Sequence, residues 1–388
     1  MRILMAAEDF GAIGGIQELV DHLAVELLAM GHQVEIFSTP HVTPGLERTP
    51  AARAAIVYAE IPGRKAVSIR HPERLWRQPV AVELIARIRA FRPDLVNSHL
   101  WTWDKFLTVA DAARRARVPL VQSLYDSWGS GKLGRRALRS LRRAAALTAL
   151  SAATRDYFGR YSRRARRAQI VLGGVDLAAA EAALPFARDR PYILSAARLD
   201  LRQKALDLLI EAFAIAAPEF PSVDLLIAGD GPDRERLIAI AAARGLADRV
   251  AILGARPRAE LWSLYKGASC FAMPSRMPEG LGLVFLESMA CGRPVIASAA
   301  GGALEIVIHG DNGLLVERNE PGPWAAAIRA LLADAAARDA MGRRGYAMVR
   351  ERFSWRAVAE RHLAAYAAAL GRRSQSPRTG GGSSKALD

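Results

Sequence analysis

Residues 274–316 read PSRMPEGLGLVFLESMACGRPVIASAAGGALEIVIHGDNGLLV. Two carboxylates, Glu279 and Glu287, bracket a glycine turn, Gly280-Leu281-Gly282. Leu283–Ala290 has a helical pattern, so the turn opens a helix. The first amides of a helix lack intrahelical partners and carry positive potential, which suits a phosphate or a hydroxyl-bearing ligand. A neighbouring carboxylate suits vicinal sugar hydroxyls, because it accepts two charge-assisted hydrogen bonds. The same letters also read as a plain turn, with Glu279 a first-turn charge and Glu287 a solvated helix residue. Beyond the helix, Pro294–Ala297 and Leu314–Val316 read as short buried strands.

Working outward, the same rhythm fills the chain. Strand signals recur at Tyr192–Ala196, Val223–Ile227, Val250–Leu253 and Cys270–Met273. An earlier series lies at Ile3–Ala6, Gln33–Phe37, Ala55–Tyr58, Asp94–Asn97, Leu120–Leu124, Ala146–Leu150 and Gln169–Leu172. Amphipathic stretches separate many of them, as at Ile16–Met30, which Gly31 terminates. Alternating strands and helices predict parallel sheets, and 388 residues suit two such domains. The expected fold is α/β, with two Rossmann-like, doubly wound domains facing a central cleft. The N-terminal domain is placed at 1–175, and Gly173–Arg190 reads as the connection. The C-terminal domain is placed at 191–352, followed by a helix, 353–370, that crosses back. The Gly/Ser/Arg-rich residues 371–388 read as a disordered tail.

Three further constellations stand at strand ends. Ser195-Ala196-Ala197-Arg198-Leu199, followed by Lys204, puts two cations at the carboxyl edge of a strand, where open α/β sheets bind ligands. Such a pair neutralises a diphosphate, the Arg in bidentate fashion, though a solvated loop pair has the same letters. Gly14-Gly15-Ile16 follows the first strand and opens a long helix, so its backbone can approach an anion closely. Paired glycines are also common turns. His99 ends the strand pattern Asp94-Leu95-Val96-Asn97-Ser98, at the same edge; such a His is often structural. Glu8 and Asp9 could reach an acceptor hydroxyl or be solvated. No assignment is made for Asp126.

Composition bounds the rest. Hydrophobic residues make up 51% and charged residues 24%, as in a globular protein. Two cysteines, Cys270 and Cys291, form neither a disulfide framework nor a metal-ligand spacing, and read as buried free thiols. No apolar run spans a bilayer, so a cytoplasmic protein is expected. The net charge is +15, and between Lys132 and Arg167 twelve basic residues face one acid, Asp156. Leu133, Ala137, Leu138, Leu141 and Ala145 share one helical face, with cations around the rest. That is either a helix packed on the first sheet or a basic amphipathic helix able to lie on an anionic membrane surface.

The stretch 274–316 resembles the signature of family four of the retaining glycosyltransferases, which have the GT-B fold. The family carries a Glu-x7-Glu motif, then Ala-Cys-Gly-x-Pro-Val and Gly-Gly-x-x-Glu-Ile-Val. Here Glu279, Gly282, Leu283, Val284, Leu286 and Glu287 match, as do Ala290-Cys291-Gly292, Pro294-Val295, Gly301-Gly302 and Glu305-Ile306-Val307. The family's usual Pro and Phe are replaced by Gly280 and Leu281. The resemblance implies that Glu287 binds the donor ribose and Glu279 the transferred sugar. It also implies that the amides of Gly280, Leu281, Gly282 and Leu283 contact sugar and phosphate. Arg198 and Lys204 correspond to the family's diphosphate cations, although Ala205 stands where Gly is usual. Gly14 and Gly15 would face the diphosphate, Arg256 lies where relatives hold the nucleobase, and His99 where they place a His near the sugar. Tyr125 departs from a common His.

The implied reaction moves a sugar from a nucleotide-diphosphate sugar, UDP-sugar favoured, to a glycan, lipid-linked or small-molecule acceptor. No cofactor and no metal is expected, since no Asp-x-Asp motif occurs, and no nucleic-acid partner. Residues 132–167 are the candidate contact with an anionic membrane. A nucleotide-sugar epimerase of the same fold and a non-catalytic basic binding module are the alternatives.

Overall fold

The computed structural model describes residues 1–7, 15–38, 57–60, 79–99, 103–125, 141–317 and 320–374. Thirteen strands among them build two wholly parallel sheets. The first holds β1 (Arg2–Ala7), β2 (Gln33–Ser38), β3 (Val57–Glu60), β4 (Leu95–Ser98), β5 (Leu120–Leu124), β6 (Ala146–Ala149) and β7 (Gln169–Ile170). Its order is β3-β2-β1-β4-β5-β6-β7. The second holds β8 (Tyr192–Ala196), β9 (Asp224–Ala228), β10 (Val250–Gly254), β11 (Cys270–Met273), β12 (Val295–Ser298) and β13 (Gly313–Val316), in the order β10-β9-β8-β11-β12-β13.

Strand order therefore reverses between β1 and β4 in one sheet and between β8 and β11 in the other. At such switch points the flanking loops part to opposite faces and leave a crevice at the carboxyl ends of the strands. The apolar runs explain why the strands are central, for helices cover both faces. Ile3 and Met5 pack with Leu19 and Leu23 of the helix Gly15–Ala29, while Leu4 and Ala6 pack with Leu84, Ile88 and Phe106 on the other side. In the second sheet Ile193 meets Leu209, Phe213 and Ile328, and Leu194 meets Trp262, Phe271 and Phe285.

Several strands run one residue beyond the apolar run. The patterns at Asp94–Asn97, Val223–Ile227 and Pro294–Ala297 become Leu95–Ser98, Asp224–Ala228 and Val295–Ser298. The ladder decides this, since Ser98 pairs with Ala6 and Gln122, and Ser298 with Val316. Ala55–Tyr58 moves to Val57–Glu60, paired with Glu35–Ser38.

The stretch read as a connection contains a helix, Leu177–Ala182, whose N-cap Asp176 accepts from Ala179 N at 3.0 Å. The last helix, Trp355–Ser374, passes the expected end at 370 and returns to the first domain. Its Val358, Ala359, Tyr366 and Ala369 are buried with Leu19 and Leu23, and Trp355 stacks on His22 at 4.7 Å. Residues 375–388, most of the expected tail, lie outside the described residues. So do Glu8, Asp9, Gly14, Asp126 and residues 132–140 of the basic segment.

Candidate active site

β8 ends at Ala196, and Arg198 follows on a loop pinned to the loop after β9. Ala197 N donates to Ala228 O, and Leu199 N to Asp230 O, both at 3.0 Å. Gly229 makes this approach possible: its φ is +136°, and a Cβ there would stand 1.9 Å from Ala197 O. The far end of the loop is pinned too. Lys204 N donates to Asp200 O at 2.8 Å, and Ala205 N to Pro274 O at 3.1 Å, which ties the cation to the strand end that carries Glu279.

Lys204 Nζ donates to Glu279 Oε1, and Ser275 Oγ donates to the same oxygen at 2.6 Å. Both partners are about four-fifths buried, so the pair is less screened than a surface ion pair. Arg198 is exposed, and among the described residues its guanidinium makes no hydrogen bond or ion pair. Gly282 (φ +83°) is the N-cap of the helix Leu283–Ala290 and supplies no side-chain cap. Phe285 N donates to Gly282 O at 3.0 Å, and Leu283 and Val284, the first two residues of the helix, line the cavity.

Arg198, Lys204, Glu279 and the Gly280–Leu283 turn line one cavity of about 370 Å³. Gly15 and Tyr125 of the first domain line its opposite wall. A Cβ on Gly15 would stand 3.4 Å from Leu283 Cδ1, so the two helix starts nearly touch. A larger cavity, about 670 Å³, lies on the other side of the Arg198–Lys204 loop. Two of its three guanidiniums are already paired, Arg202 with Asp200 and Arg276 with Asp207.

Three expected residues lie outside the lining of this cavity. Glu287, one turn beyond Leu283, is buried and does not line the cavity; Arg258 Nη2 donates to its Oε1 at 2.7 Å. Burial and the Glu287 charge together hold the Tyr265 phenol well above its ordinary pKa. Arg256 is exposed and folds onto its own loop, donating to Leu253 O at 2.7 Å and Glu260 at 3.3 Å. His99 is wholly buried behind Tyr125, and its Nδ1 lies 2.5 Å from the Tyr125 hydroxyl. Burial, with His362 beside it, keeps the His99 imidazole neutral well below its usual pKa. Tyr125, not His99, meets the cavity.

The Gly301-Gly302 pair has a packing reason. Gly302 N donates to Glu279 O at 2.8 Å, and a Cβ on Gly302 would stand 2.3 Å from Gly280 O. The motif is the rear support of the turn that carries Glu279. Ser275 and Arg258 carried no signal in the sequence. Ser275 lies four residues before Glu279, and Arg258 lies on a different helix from Glu287.

Two family models divide the chain, Glycosyltransferase Family 4 over residues 13–179 and Glycosyl transferases group 1 over residues 178–348. A D-inositol 3-phosphate glycosyltransferase of Nocardia farcinica is 31% identical over 94% of this chain and 87% of its own length. A protein of the same description from Segniliparus rotundus is 36% identical over 54% of this chain, a match that spans about half (49%) of that relative. The crystal structure of Anabaena HepE with UDP-glucose aligns at a TM-score of 0.75 and 22% identity, covering 96% of this chain and 100% of that one. With a family-wide match along its length and the two-domain architecture of solved relatives, the chain belongs to the group 1 glycosyl transferases of family four and is a glycosyltransferase of GT-B fold.

Proposed function

We propose that the chain transfers a sugar from a nucleotide-diphosphate sugar to an acceptor hydroxyl with retention of configuration and without a metal ion. The observation that carries this reading is the convergence of Arg198, Lys204, Glu279 and an uncapped helix start on one cavity. Cleaving the bond from the anomeric carbon to the phosphate oxygen builds charge on the departing diphosphate. Arg198, Lys204 and the amides of Leu283 and Val284 would meet that charge as it grows, without reorganisation. Lys204 would pass from Glu279 to the phosphate, which frees Glu279 for the sugar hydroxyls. No protein nucleophile is assigned. The acceptor attacks from the face the diphosphate leaves, and a phosphate oxygen takes its proton.

The donor favoured is a UDP-sugar, as in the HepE complex. A small phosphorylated polyol, as in the names of the Nocardia and Segniliparus relatives, joins glycans and lipid-linked glycans as an acceptor class to test. Arg142, Arg160, Arg163 and Arg167 are exposed, in keeping with contact to an anionic membrane. No described helix is long and apolar enough to cross one.

Thermal-shift screening against UDP-, GDP-, ADP- and dTDP-sugars tests the donor. A ligand at 100 times its Kd stabilises the folded state by about 2.7 kcal/mol. NMR of the product in EDTA then reads the anomeric configuration and metal dependence together. An inverted product, or activity abolished by EDTA and restored by a divalent ion, overturns the mechanism. Isomerised donor without transfer overturns the function.

A further inference from the structure

Arg258 is the first residue of the helix Arg258–Gly267, which has no part in the glycine turn. Its guanidinium lies 4.8 Å from the ring centroid of Trp262, one turn further along, which holds the planar group by one face. Its edge remains for hydrogen bonds. Nη2 donates to Glu287 Oε1 at 2.7 Å and stands 3.3 Å from Glu18 Oε2. Glu287 belongs to the C-terminal domain. Glu18 lies in the first turn of Gly15–Ala29, the N-terminal-domain helix whose start faces Leu283. One nitrogen therefore bridges carboxylates from both domains.

The burial of each partner gives the bridge its direction. The Glu287 side chain is 7% exposed, that of Glu18 28% and that of Arg258 39%. A carboxylate as buried as Glu287 needs a paired charge, and Arg258 is the cation it has among the described residues. Without Arg258, Glu287 and Glu18 would face each other as like charges, and the walls would repel.

We infer that Arg258 is a positioning residue of the donor site: it sets the Glu287 carboxylate for the donor ribose and, through Glu18, couples that grip to closure of the cleft. The inference rests on the transferase reading together with the ribose role that the resemblance implies for Glu287. Coupling of this kind is reciprocal: if closure tightens the Glu287 grip, nucleotide binding favours closure equally.

The test is a double-mutant cycle on the full chain, using wild type, Arg258→Met, Glu18→Gln and the double variant. Calorimetry measures binding of UDP, with GDP, ADP and dTDP as substitutes, and of the 2′,3′-dideoxy form of whichever binds best. Arg258→Met is expected to weaken the ribonucleotide about tenfold and the dideoxy analogue little. Glu18→Gln is expected to weaken the ribonucleotide about threefold, and to do nothing further once Arg258 is gone. Arg258→Lys keeps the charge and should recover part of the loss; it carries the test if the Met variant does not fold. Equal losses for both nucleotides, or an undiminished Glu18 effect in the Arg258→Met background, overturn the inference while leaving the transferase reading intact. A wild type that binds none of the four nucleotides overturns both.

Discussion

At the scale of single residues, Lys204 is the side chain on which the proposed chemistry leans most. It is anchored at both ends of its loop, and its ammonium reaches the carboxylate assigned to the sugar. Lys204→Ala is therefore expected to lower kcat by about 100-fold or more, the scale seen when one preorganised donor to a developing anion is removed. Initial rates under saturating donor, with circular dichroism to confirm folding, check this. Lys204, Glu279 and the glycine turn lie together in the structure, and all three are tied to strand ends, which follow from local apolar runs in the sequence. The sequence said nothing of Ser275 as a second partner of Glu279, nor of Tyr125 standing between His99 and the cavity. The first depends on how the loop after β11 folds back on itself, the second on side chains brought together from the ends of β4 and β5.

Among the secondary-structure elements, one helix is capped by a group from the other domain and another carries a buried imidazole. The helix Ala152–Gly159 of the first domain begins with Ser151 capping Thr154 N at 3.0 Å. Its two preceding amides, Ala152 N and Ala153 N, donate to Glu305 Oε2 and Oε1 of the second domain at 2.9 and 3.0 Å. A carboxylate at a helix start satisfies orphan donors and meets the positive end of the dipole. Glu305→Ala should cost about 1 kcal/mol of stability, the usual worth of such a cap. It should also widen the interdomain distance read by paired spin labels, whereas an unchanged distance would refute the bridging role. The returning helix carries His362, which is fully buried with its pKa pushed down to about 4, mainly by burial. The unfolded side chain titrates near 6.5, so the unfolded state binds the proton first as pH falls. The contribution is present in full above pH 6.5 and is lost progressively down to about pH 4, an effect of roughly 3 kcal/mol. His99 acts in the same direction. His362→Leu should flatten the fall in denaturant midpoint between pH 7 and pH 5.

For the whole molecule, the two sheets set their switch points toward each other, and the cleft inherits polar groups mainly from one side. Arg198, Lys204 and Glu279 come from the second domain; Gly15, Ile16, Leu19, Tyr125 and Leu150 come from the first. The charge of +15 acts at this scale as well. If the exposed arginines near β7 meet an anionic bilayer, the chain should float with phosphatidylglycerol vesicles at low salt and not with neutral ones. It should be released at about 1 M salt, where the Debye length is roughly 3 Å. Arg163→Glu with Arg167→Glu should weaken flotation without changing rates on a water-soluble acceptor, and flotation unaffected by the pair would remove that face from consideration.

The sequence by itself determined that two strand–helix series would fold into parallel sheets, and which strand ends would carry the cations and the glycine turn. Apolar periodicity and turn chemistry act over a few residues, so they are written in consecutive letters. Only the tertiary structure decided that Arg258 bridges Glu287 to Glu18, that Glu305 caps a helix of the other domain, and that His99 lies buried. Each of those depends on burial and on charges meeting across more than one element, and the energy of a contact exists only where packing has brought the groups together.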